Sequence, residues 1–171
     1  MDNPTRRRQQ EAPVITPEAS EATRERYSTS LTYITMPDTP RKKPAHQCSL
    51  TFAQSLRYIE TTDTHLAAVS FRTGSPVGEI MFNPRNCQNV DLLPFAGLTV
   101  HEILHIVCGH VNMFDFPFRK KYPELWAIAV DLVVNQIVEK DGYSLPFGKG
   151  ILEDEPDLVF EGVTLDNIEK Q

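Results

Sequence analysis

The sequence predicts an α+β fold in which a small, mostly antiparallel sheet packs against two helices. Three patterns carry this expectation. Residues 66–72 and 79–83 are short β-leaning runs on either side of Thr73-Gly74-Ser75-Pro76-Val77-Gly78, the composition of a hairpin with a slightly long loop. Residues 91–108 place Leu93, Ala96, Val100, Ile103, Leu104 and Val107 at helical spacing, which makes one face of that helix core. Residues 123–140 form a second apolar run, opened by Pro123-Glu124 and closed by Lys140 and Gly142.

In chain order, the first 48 of the 171 residues hold 6 of the 13 prolines and 8 of the 17 Lys and Arg, and their apolar residues are too sparse to form a continuous face. They read as a flexible N-terminal arm, 1–48, with room for one short helix after Thr16, where Pro17 and Glu18 make a plausible first turn. The folded domain is therefore expected over 49–171. Residues 50–59 fit a strand through Leu50, Phe52, Leu56 and Tyr58, and equally a helix through Phe52, Ala53, Leu56 and Ile59. In the 91–108 helix, Asp91 is the expected N-cap and Gly109 the stop. The 123–140 helix is apolar nearly all round from Trp126 to Val138, so it is expected to be the most buried element. Beyond Gly142 the chain is acidic and loop-like, with a short helix expected over 164–170.

The formal net charge is −6, and it is unevenly spread. The arm has 8 basic against 6 acidic residues, which leaves 9 against 17 in the rest, so the folded part is acidic. That disfavours nucleic acid as a partner, because gripping its backbone takes clustered Lys and Arg. Arg6-Arg7-Arg8, Arg41-Lys42-Lys43 and Arg119-Lys120-Lys121 read instead as solvated charge, the last of them in an inter-helix loop. No apolar run reaches the roughly 18 to 20 residues that cross a bilayer, so no membrane is expected as a partner. The cysteines, Cys48, Cys87 and Cys108, are odd in number and lack CxxC spacing. They suit neither a disulfide framework nor a Cys-type zinc site, and a reducing cytoplasm is the expected setting.

The chemistry is concentrated at His101-Glu102-Ile103-Leu104-His105, an HExxH sequence. Residues i and i+4 differ by about 40° around a helix, so both imidazoles project from one face and can bind one metal ion at about 2.0 to 2.1 Å. Glu102 flanks that ion without being forced to ligate it. In a metalloprotease site of this kind, zinc acidifies a water and the glutamate takes its proton as the water attacks a carbonyl. The bland alternative is a solvated or core-satisfied histidine pair, which is costly on an otherwise apolar helix.

A catalytic zinc site normally takes a third protein ligand, and there are two candidates. In an unbroken helix His110 points about 180° away from His101 and returns only if Gly109 breaks the helix; otherwise it reads as a histidine that is favourable at a helix C-terminus. Asp131 sits mid-helix among apolar residues, where a carboxylate is expensive to bury unless it is paired or metal-bound. Asn135, one turn on, is placed to orient a ligating histidine. Cys108 reads as a small core residue, and Tyr122 and Tyr143 are candidates for stabilising an oxyanion.

The run from His101 to His110, then Trp126-Ala-Ile-Ala-Val-Asp131-Leu-Val-Val-Asn135 and Leu145-Pro146, resembles the bacterial metallopeptidase domain that is often joined to a von Willebrand factor A-like domain. Phe82-Asn83-Pro84 and residues 161–168 extend the similarity to roughly residues 50 to 170. The resemblance implies a zincin-like fold, with a small sheet over the HExxH helix and a later, buried helix supplying the third ligand. It implies Zn2+ held by His101, His105 and Asp131, Glu102 as general base, and a protein or peptide substrate in a bacterial or phage-like cytoplasm. No von Willebrand factor A-like domain follows in this sequence, so that partner is expected from another chain or is missing from this one. The alternative is a non-catalytic zincin-fold binding or regulatory module, which would not require the glutamate retained between the histidines. A sheet edge beside the metal would offer unpaired backbone groups to an extended peptide.

Overall fold

The computed structural model describes residues 14–35, 53–71 and 77–146 of the chain. Helix α1 (Pro17–Thr35) begins where Thr16 Oγ1 accepts the Ala19 N–H at 3.2 Å. Its buried residues, Ala19, Thr23, Tyr27, Ser30 and Ile34, recur every three or four positions and so form one stripe. Two of them are polar, and both are satisfied: Thr23 Oγ1 donates to the Ala19 carbonyl at 2.8 Å and Ser30 Oγ to the Tyr27 carbonyl at 2.8 Å. Within the expected flexible arm 1–48, the helix allowed after Thr16 is a full 19 residues and packs along the HExxH helix, with small hydroxyl side chains doing part of the packing that an apolar count looks for; residues 1–13 and 36–48 lie outside the described residues.

The sheet has three short strands, β1 (Arg57–Glu60), β2 (Ala67–Ser70) and β3 (Glu79–Phe82), in the order β1-β3-β2. β2 and β3 form the expected hairpin, antiparallel with Ala67 opposite Phe82. β1 instead lies parallel to β3, Arg57 opposite Glu79, so the sheet is mixed rather than mostly antiparallel. The ambiguous stretch turns out to be both things in succession, helical at 53–55 and strand from Arg57. β3, at the centre, is the most buried strand: Ile80 and Phe82, on one face, are wholly buried, and Glu79 on the other is buried as well. Glu60 of β1 binds α1 through Ser20 Oγ, which donates at 2.6 Å, and Arg24 Nη2, which donates at 2.9 Å.

Asn83 turns the chain out of β3 into the one-turn helix α2 (Pro84–Cys87): its Oδ1 accepts the Arg85 N–H at 3.2 Å and its Nδ2 donates to the Thr64 carbonyl at 2.7 Å. Helix α3 (Leu92–Val107) follows, with Asp91 at the N-cap position but making no side-chain cap bond. A 3₁₀ turn (His110–Asn112), α4 (Pro117–Lys121) and α5 (Pro123–Lys140) complete the described helices. The most buried of these is α3, not the later helix. Eleven consecutive or near-consecutive residues from Phe95 to Ile106 are buried, whereas α5 buries only Val130, Val134 and Val138. The reason is position: α3 has neighbours on opposite sides.

One cluster sets Phe95 and Leu98 of α3 against Ile80 and Phe82 of β3 and Tyr27 of α1, with the Phe82 and Phe95 rings stacked at 5.0 Å. The other sets Ala96, Val100 and Leu104 against Val134 and Val138 of α5, Ile34 of α1, and Tyr143 and Leu145. Leu93 and Val107, expected on the core face, lie at the two ends of α3 and are 52% and 56% exposed. The hairpin turn at 72–76, the helix expected over 164–170 and the similarity over 161–168 lie outside the described residues. No described helix is long and apolar enough to cross a membrane.

Candidate metal centre

The HExxH residues sit in the last two turns of α3, where the helix passes under the hairpin. His105 Nε2 is 3.0 Å from His101 Nε2, as expected for an i, i+4 pair turned to one point. Asp131 Oδ1 on α5 completes a triangle, 3.1 Å from His105 Nε2 and 3.9 Å from His101 Nε2. The point equidistant from all three atoms lies about 2.0 Å from each, the metal–ligand distance for imidazole nitrogen and carboxylate oxygen. His101, His105 and Asp131 could together hold one divalent ion there. Asp131 is half-exposed, not buried as its apolar neighbours suggested, because α5 turns it into that open cleft.

The cleft encloses about 300 Å³ and has three walls: Ala67, Ala68 and Val69 of β2, the His101, Glu102 and His105 face of α3, and Trp126, Ala127, Val130 and Asp131 of α5. Burial, with a smaller contribution from Asp131, pushes the Glu102 carboxyl up to about 8. Burial and the neighbouring His105 ring pull His101 down to about 4, against the opposite influence of Asp131 and Asn135. His101 is therefore neutral at pH 7, its approach to Asp131 is not an ion pair, and its Nε2 lone pair is available to a metal.

The remaining ring nitrogens also have partners nearby. Asn135 approaches His101 closely enough to act on its protonation, yet His101 Nδ1 and Asn135 Oδ1 are buried and neither makes a well-formed hydrogen bond. With a metal on Nε2 the imidazole must carry its proton on Nδ1, the donor that this carbonyl oxygen lacks. His110 supplies the equivalent for His105, its Nδ1 lying 3.3 Å from His105 Nδ1. Gly109, at φ 74°, makes this possible: it ends α3 in the left-handed region and folds His110 back over its own helix. His110 is thus beside the site but adjoins the far side of the His105 ring, and it is not a third corner of the triangle.

His101, His105 and Asp131 come together at one point, Glu102 lines the same cleft, and Asn135 adjoins them. Tyr143 belongs to the second core cluster and, like Tyr122, does not line the cleft. Cys108 is partly exposed rather than a core residue. Among the lining residues to which the sequence reading gave no site role are Trp126 and Arg119. Arg119 stood in a run that reads as solvent-facing charge, and nothing in the sequence separates it from its two lysine neighbours. The chain matches no protein-family model, no curated protein and no solved structure.

Proposed function

We propose that this protein is a zinc-dependent metallopeptidase of zincin type, with His101, His105 and Asp131 as ligands and Glu102 as general base. One observation carries the reading: three donors spaced for a single ion stand beside a buried carboxyl in a cleft walled by an edge strand. Two imidazoles and one carboxylate are a donor set suited to Zn2+. Zinc, when bound, supplies Lewis acidity that acidifies a water and polarises a peptide carbonyl. Glu102 stands where burial favours its uncharged form, so in its ionised form it readily takes the proton of the attacking water and afterwards returns it to the leaving amine. His110 adjoins the His105 ring from behind, and Asn135 is placed to accept the Nδ1 proton that a metal-bound His101 would carry. Among the described residues β2 pairs with β3 alone, and its small Ala67 and Ala68 leave room for an extended peptide to pair along its other edge. The residues that form this centre are also those on which the sequence resembles the bacterial metallopeptidase domain.

The test is a peptide-library cleavage assay on the zinc-loaded chain and its Glu102→Gln variant. The expected result is cleavage by the wild type and at least a roughly 100-fold lower rate in the variant at equal zinc content. Equal rates would remove Glu102 from the mechanism. Stoichiometric zinc with no cleavage of any peptide would favour the non-catalytic binding module.

A further inference from the structure

The three basic residues that end α4 do not share one environment. Lys120 Nζ pairs with Asp115 at 2.7 Å on the surface, and Lys121 Nζ lies 5.0 Å over the Tyr122 ring. Arg119 alone lines the metal cleft, and it is the only Lys or Arg among the described residues that do. Two contacts fix it there: Nη1 donates to the His110 carbonyl at 3.0 Å, and the guanidinium carbon sits 4.6 Å from the centre of the Phe114 ring. No carboxylate among the described residues pairs with it. A guanidinium carries five N–H donors in a planar fork, so one bond to a carbonyl leaves most of them unused. The matching acceptor is a carboxylate, which takes two parallel, charge-assisted bonds.

Resting on the peptidase reading, we propose that Arg119 determines specificity, binding a carboxylate of the peptide that occupies the cleft. The carboxylate comes either from an Asp or Glu side chain or from a free C-terminus. Position supports the role. The carbonyl that holds Arg119 belongs to His110, whose ring adjoins His105, so the guanidinium is anchored to the same turn that braces the metal site. A chain with a net charge of −6 repels acidic peptides in general, which makes one fixed cation in the cleft a selective device.

The experiment measures peptide binding to the zinc-loaded Glu102→Gln protein, which does not consume its ligand. Four versions of one peptide serve as probes: internal Glu with an amidated end, internal Gln amidated, internal Lys amidated, and internal Gln with a free C-terminal carboxylate. At least one carboxylate-bearing version is expected to bind roughly 10 to 100-fold tighter than the Gln amide, as charge-assisted pairing implies, and which one does so identifies the source. Adding Arg119→Gln keeps a donor for the His110 carbonyl, so zinc content and melting temperature should hold while the preference disappears. Equal binding of all four peptides, or an undiminished preference in Arg119→Gln, would overturn the proposal. Turnover of the same peptides by the wild type is read separately. Discrimination that depends on Arg119 without turnover would sink the peptidase reading and leave the carboxylate site standing.

Discussion

Gly97 offers a test in which helix propensity and tertiary structure predict opposite signs. It lies inside α3, one turn before His101, and in an exposed helix interior Gly→Ala stabilises by about 1 kcal/mol. Here a Cβ would stand 1.9 Å from the Ser144 carbonyl oxygen and 2.9 Å from its carbon. Both neighbours are backbone, which cannot swing aside as a side-chain tip can. Reaching even 3.0 Å from the oxygen requires residues 143–145 to recede by at least about 1 Å, which draws Tyr143 and Leu145 out of the cluster they share with Val134 and Val138. Overpacking costs about 1 to 3 kcal/mol, and partial withdrawal of two buried side chains adds a similar amount. Less the propensity gain, Gly97→Ala should destabilise by about 1 to 5 kcal/mol, a fall in Tm of roughly 2 to 20 °C for a chain of this size. Thermal and urea unfolding followed by circular dichroism measure it. A Tm equal to or above that of the wild type would refute the close approach of this loop to α3. Gly109→Ala is the contrasting case. Its nearest atom outside the local chain is Met113 Cε at 3.9 Å, so the cost should be only the roughly 1 kcal/mol of a left-handed residue with a Cβ.

Further outcomes follow from the same contacts. Tyr27→Ala should cost about 3 kcal/mol, because its ring packs 5.2 Å from Tyr58 and 5.4 Å from Phe82; a loss under 1 kcal/mol in urea unfolding would mean that α1 is not docked. Asp131→Asn should lower zinc affinity by well over 100-fold, while His110→Ala, which removes only a neighbour of His105, should lower it about 10 to 100-fold. Competition with a chromogenic chelator measures both, and the reverse order would reassign the third ligand. Burial pushes the Cys87 thiol up to about 11 from an ordinary value of 9, so the folded state holds this proton more tightly than the unfolded. That stability is fully present below pH 9 and lost between pH 9 and 11. Cys87→Ala should therefore lose less stability than the wild type over that interval, and parallel pH profiles would count against a desolvated thiol.

What depends on local spacing is legible in the amino-acid sequence. Helix α3 and its stop at Gly109, helix α5 and the β2–β3 hairpin follow from periodicity, proline and glycine, and the i, i+4 histidines follow from helical geometry alone. Asp131 stands beside the two histidines in a setting its sequence neighbours do not suggest: they are apolar and imply burial, yet it faces an open cleft, because a residue's surroundings are set by what packs against its helix and not by the residues beside it in the chain. The same distinction separates α3 from α5. Both are apolar, but only a helix with neighbours on opposite sides is buried on nearly every face, and neighbours are a tertiary fact. Helix α1 was understated because Thr23 and Ser30 are polar by type and become core only once their hydroxyls bond within the helix. The parallel pairing of β1, the return of His110 to His105 and the turning of Arg119 into the cleft belong to tertiary structure entirely. Each depends on which of several similar local segments meets a distant partner, and that choice is made by the packing of the whole chain.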